Sequence, residues 1–258
     1  MHINPLYSIA GVLVGLVVGL TGVGGGSLMT PLLVLAFGFH PSTAVGTDLL
    51  YASATKTVGT TVHGWRGTVD WKVVARLALG SVPATIVTLL VIGYSGERSE
   101  HTARAITTIL GITLVLSAVA TLFRARIVGR LKPRFGAVSE GRLTALTVLL
   151  GAILGVLVSL TSVGAGALGM TALIILYPKL PVNRLVGSDI AHAVPLTLLG
   201  GIGHWYLGAV DFSLLGSLLI GSIPGIIVGS LIATRVSDRV LSPILAVVLA
   251  IVGARLLF

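Results

Sequence analysis

Two apolar stretches in this chain are too long to be single membrane helices, and each carries a glycine-rich interruption at the same relative place. The first runs near 6–37 and contains Thr21-Gly22-Val23-Gly24-Gly25-Gly26-Ser27; the second runs near 144–177 and contains Thr161-Ser162-Val163-Gly164-Ala165-Gly166-Ala167. As unbroken helices they would extend about 48–51 Å, well beyond a hydrocarbon core about 30 Å thick. Each must break or tilt severely, and glycine permits the positive φ and close approach that a break requires. A duplicated, broken transmembrane helix points to the substrate site of a transporter.

The other hydrophobic segments fall near 42–63, 69–94, 103–123, 183–204, 210–234 and 239–257, which makes four segments, a basic linker and four more. With 55% hydrophobic and 10% charged residues, the composition excludes an ordinary soluble domain. The apolar run from Leu6 onward lacks a basic leader and a small-residue cleavage site, so it is expected to be retained.

The halves align at an offset of 140 around the break and 141 beyond Met29. This register pairs Gly24 with Gly164, Gly26 with Gly166, Met29-Thr30 with Met170-Thr171, Gly46 with Gly187, Asp48 with Asp189 and His63 with His204. It also pairs Asp70 with Asp211, Gly80-Ser81 with Gly221-Ser222 and Pro83 with Pro224. If each long segment breaks in two, a repeat contains five membrane-penetrating elements, and an odd count inverts one repeat relative to the other. The expected fold is therefore an all-α integral membrane protein of two inverted-topology repeats, with about eight hydrophobic segments forming about ten elements. Its expected organisation is a first repeat over 1–123, a basic cytoplasmic linker over 124–142 and a second repeat over 143–258.

Charge supports this orientation. The formal net charge of +9 comes from Lys and Arg scattered through loops, not gathered on an aromatic-rich face, so nucleic acid is not an expected partner. The densest cluster, Arg124, Arg126, Arg130, Lys132, Arg134 and Arg142, lies in the linker, which the positive-inside rule puts in the cytoplasm. Inversion then places Arg66, Lys72, Arg76, Lys179, Arg184, Arg235 and Arg239 inside as well, whereas a plain eight-span arrangement puts 179–184 and 235–239 outside.

Candidate chemistry begins at the breaks. Backbone N–H groups at the start of a second half-helix attract an anion. The expected substrate-binding set is Thr21, Gly22, Gly24, Gly25, Gly26 and Ser27 with Thr161, Ser162, Gly164 and Gly166, unless these glycines serve helix packing alone, as Gly11-xxx-Gly15-xxx-Gly19 does. Lys56 joins the set as a fixed intramembrane cation, its alternatives being an ion pair with Asp48 or snorkelling to the interface. Asp48, Asp189 and His192 are candidates for proton or ion coupling. His63 and His204 stand beside Trp65 and Trp205 and read as interfacial anchors, whereas Asp70 and Asp211 read as helix N-caps.

The chain has no cysteine, and no P-loop, HExxH or supported carboxylate pair, so neither a cofactor nor a metal centre nor catalysis is expected. Intramembrane hydrolysis would need Ser27, whose counterpart is Ala167.

The GLTGVGGG run at Gly19–Gly26, VGTD at Val45–Asp48 and HGWRGTVDW at His63–Trp71, with their weaker repetition, resemble the sulfite exporter TauE/SafE family over essentially the whole chain. The resemblance implies secondary transport of a sulfur-containing anion, such as sulfite or an organosulfonate, across a bacterial cytoplasmic membrane. Lipid, the small anion and a coupling proton or sodium ion are the partners so implied; the alternative is a passive anion channel. Homo-oligomerisation stays open.

Overall fold

In the computed structural model, residues 3–21, 26–65, 67–96, 99–135, 138–233 and 238–258 are described, and among them regular structure is entirely helical. The first overlong segment divides into α1 (Pro5–Thr21) and α2 (Gly26–Leu35). Next come α3 (Pro41–Trp65), α4 (Trp71–Ser95), α5 (Glu100–Leu122) and α6 (Arg124–Phe135). The second overlong segment divides into α7 (Glu140–Thr161) and, after a π turn at Ala165–Gly169, α8 (Met170–Leu176). The chain ends with α9 (Val182–Tyr206), α10 (Phe212–Ala233) and α11 (Asp238–Leu257). The basic linker thus begins as a helix, α6, rich in Arg and Lys.

The second break is built by two residues in left-handed backbone. Ser162 ends α7 with φ 58°, and Gly164 follows with φ 121°, a value that an L side chain rarely adopts. The Thr161 hydroxyl stabilises the turn, donating to Leu157 O at 2.6 Å and accepting from Val163 N at 3.1 Å.

The outward faces of the long helices are apolar, while the buried faces mix apolar and small polar side chains. On α4 the buried face carries Ser81, Thr85 and Thr88, while Leu79, Ile86, Val87, Leu90 and Val91 are exposed. Outward apolar and inward small-polar residues are what a helix in lipid requires, because hydrocarbon solvates leucine as well as a protein core does. Among the described residues, five helices are long and apolar enough to span a membrane: Trp71–Ser95, Glu100–Leu122, Glu140–Thr161, Val182–Tyr206 and Phe212–Gly229.

Helix packing repeats itself between the halves. α1 packs on α10 and α7 packs on α4, while α3 meets α9 and α5 meets α11. Glycines let these backbones touch. Gly15 faces Ser222 O, and its counterpart Gly155 faces Ser81 O; Gly80 faces Val148 O, and Gly221 faces Ser8 O.

The paired Gly46-Thr47-Asp48 and Gly187-Ser188-Asp189 motifs work in the same way. Gly46 lies against Ala209 O and Gly187 against Thr68 O, so the start of each of α3 and α9 meets the turn that follows the other, and the two run antiparallel. Beside them Thr47 Oγ1 accepts from Asp211 N at 3.1 Å, and Ser188 Oγ accepts from Asp70 N at 2.8 Å. Asp70 in turn caps α4 by accepting from Lys72 N and Val73 N, and Asp211 caps α10 by accepting from Ser213 N and Leu214 N. Both aspartates are N-caps.

Candidate functional site

The glycine of each motif brings its helix against the opposing turn, and the hydroxyl beside it anchors that turn. The third residue, the aspartate, turns inward. Asp48 is fully buried and Asp189 is 6% exposed. Asp48 Oδ2 accepts the Thr30 hydroxyl from the first turns of α2, while Asp48 Oδ1 is buried without a hydrogen-bond partner. Ser162, at the second break, faces the same carboxylate. Asp189 differs. Thr171, the counterpart of Thr30, donates to Ala167 O at 2.7 Å instead, and Asp189 Oδ1 is buried beside Gly169 without a partner.

Asp189 lines a cavity of about 640 Å³ enclosed by the end of α5, α6, the π turn, α8, α9 and α11. Gly166 of the second break and the Arg124, Thr121 and Ser242 side chains share that wall. The cavity therefore lies at the end of the bundle that carries the linker. Two cations, Lys56 and Arg124, act electrostatically on Asp189. Lys56 is half-buried on α3 and also acts on Asp48. Among the described residues the ion pairs are Arg76 with Glu140 and Arg104 with Glu100, so Lys56 forms no contact pair with Asp48.

His192 is fully buried, and its Nε2 is 2.8 Å from Ser81 Oγ on α4, which ties α9 to the other half. His204 is also fully buried, with Nε2 2.9 Å from Ser159 O. It is thus an interior hydrogen-bonding residue and not the interfacial anchor expected beside Trp205. The reason is packing: its Cβ lies against Gly46, so the ring enters the helix interface.

The expected site residues are only partly brought together. Gly166 and Asp189 share the large cavity, while Ser27 lines a different, largely apolar cavity of about 340 Å³ between α1, α2 and α11. Gly164 and Thr161 shape the break itself. Gly26 opens α2, and Thr21 ends α1. Gly22, Gly24 and Gly25, with the side chains of Thr21 and His63, lie outside the described residues.

Thr30 and Arg124 are not among the site residues expected from sequence. The repetition of Met29-Thr30 as Met170-Thr171 carried a signal for Thr30; Arg124 was hidden among linker charges that report orientation.

Helices with lipid-facing apolar sides around buried carboxylates and a cation-bearing cavity define a multi-pass membrane protein with a polar interior. The profile described as Sulfite exporter TauE/SafE matches residues 7–256, and the chain belongs to that family of membrane transporters. Probable membrane transporter protein YjnA of Bacillus subtilis (strain 168) is 40% identical over 215 residues, covering 83% of this chain and 84% of that one. Probable membrane transporter protein YdhB of the same organism is 30% identical over 215 residues, with 82% of each chain covered. Probable membrane transporter protein MJ0441 of Methanocaldococcus jannaschii is 27% identical over 205 residues, covering 77% and 70%. No solved structure matches.

Proposed function

We propose that the chain is a secondary transporter, working as an exporter, for a small sulfur-containing anion such as sulfite or an organosulfonate. The observation that carries this reading is the 640 Å³ cavity at the linker end, where the second break's Gly166 meets Arg124 and Asp189. Arg124 on the cavity wall and Lys56 behind it supply positive potential there, which the single carboxylate of Asp189 offsets only in part.

Residues 1–123 and 143–258 act as inverted repeats joined by the cytoplasmic linker 124–142, in the bacterial inner membrane. The matched glycine seams and the antiparallel α3 and α9 support this arrangement. Alternating access follows from rocking one repeat against the other, with the linker-side cavity as the inward-facing entrance. The family's description as a sulfite exporter supports a sulfur oxyanion as cargo.

The test is uptake of labelled sulfite and a short organosulfonate into proteoliposomes, with and without imposed ion gradients. Saturable accumulation driven by a gradient is expected. Flux that neither saturates nor runs uphill would replace the carrier with a channel, and absence of flux in vesicles holding folded protein would refute the substrate.

A further inference from the structure

The two equivalent aspartates stand in unlike electrostatic surroundings. Asp189 is acted on by both Lys56 and Arg124, whereas among these two cations only Lys56 acts on Asp48. Asp48 is fully buried and keeps an unpartnered Oδ1. Ser162 faces that carboxylate, yet its Oγ is also buried without a partner. Ser162 is moreover the C-cap of α7, so its hydroxyl stands at the carbonyl, negative end of that helix. A carboxylate held near a helix C-terminus in a dry interior is costly unless a cation or a proton neutralises it.

We infer that Thr30, Asp48 and Ser162 form a sodium-binding site between the two halves. The donors are a carboxylate and two hydroxyls, one of them at the carbonyl end of a broken helix. This all-oxygen set suits a hard cation, and its single negative charge suits a monovalent one. The carbonyl end of an interrupted helix also favours a cation in membrane carriers. Thr30 and Asp48 come from the first half and Ser162 from the second, so the ion would bridge the elements that move in transport. The consequence, coupling of anion flux to sodium, rests on the carrier reading; the binding itself does not. A proton on Asp48 is the competing way to neutralise it.

The experiment uses the purified full chain in detergent without substrate. Thermal stability and ²²Na⁺ binding are followed as NaCl replaces choline chloride at constant ionic strength, at two pH values. Saturable stabilisation by Na⁺ and not by K⁺ is expected. Asp48→Asn should abolish it, and Thr30→Val and Ser162→Ala should each weaken Na⁺ affinity by about tenfold or more, the scale of one hydrogen-bonding ligand to a charged group. If Asp48→Asn does not fold, the two hydroxyl variants decide the matter.

Equal stability in sodium and choline, a response that follows pH alone, or unchanged Na⁺ affinity in both hydroxyl variants would overturn the site. Anion flux without Na⁺ binding would remove the sodium site and leave the carrier. Na⁺ binding without anion flux would do the reverse.

Discussion

Gly15 and Gly155 occupy equivalent positions on α1 and α7, and each faces the backbone of a serine that is itself one of an equivalent pair. A methyl group added at Gly15 would lie 2.5 Å from Ser222 O and 2.8 Å from Ser222 Cα; at Gly155 it would lie 2.6 Å from Ser81 O and 2.9 Å from Ser81 Cα. Ordinary contact begins at 3.4 Å, so each helix pair must separate by about 0.8 Å. The obstruction is backbone, and no rotamer change relieves it. Such overpacking costs about 1–3 kcal/mol. The α1–α10 and α4–α7 seams share no helix, so the penalties in the double variant should add to about 2–6 kcal/mol. Equilibrium unfolding of purified Gly15→Ala, Gly155→Ala and the double variant in mixed micelles measures this. If the two single variants stay within about 0.5 kcal/mol of the parent, the close-contact seams are not what holds the halves together. A penalty at one position with none at the other would refute their equivalence.

Gly164→Ala places a side chain at φ 121° and should destabilise the second break by about 1–3 kcal/mol, read in the same unfolding experiment. Asp70→Ala and Asp211→Ala each remove an N-cap and should cost about 1 kcal/mol in stability; a larger loss of transport than of folded protein would contradict a purely structural role. Lys56→Ala should weaken anion transport while the folded protein stays in the membrane, and unchanged flux would remove Lys56 from the site. Arg124→Gln should raise the half-saturating anion concentration in the proteoliposome assay; an unaltered value would leave Arg124 as an orientation charge alone.

Much of this architecture is legible in the residues because it depends on local geometry and on solvent. Apolar runs longer than a membrane is thick must break, and the positive φ at Gly164 and Ser162 shows where the second one does. Asp70 and Asp211 could be read as caps because capping involves residues two and three positions away along the chain. The repeated Gly-Thr-Asp and Gly-Ser-Asp motifs announced that α3 and α9 would be treated alike.

Sequence alone therefore determined a helical membrane chain, two interrupted helices, a duplicated set of polar positions and a basic segment between the halves. Each of these follows from composition, from period, or from contacts a few residues apart. Only the tertiary structure decided which polar groups meet. It places Ser162 of the second half at Asp48 of the first, joins His192 to Ser81 and sets Arg124 and Asp189 on one cavity wall. It also sends Ser27 to a separate apolar cavity. These pairings span from about 65 to more than 110 positions of sequence and are set by how the glycine seams align one helix against another. A side chain's surroundings in a buried membrane interior depend on that alignment, and no pattern along a single segment encodes it.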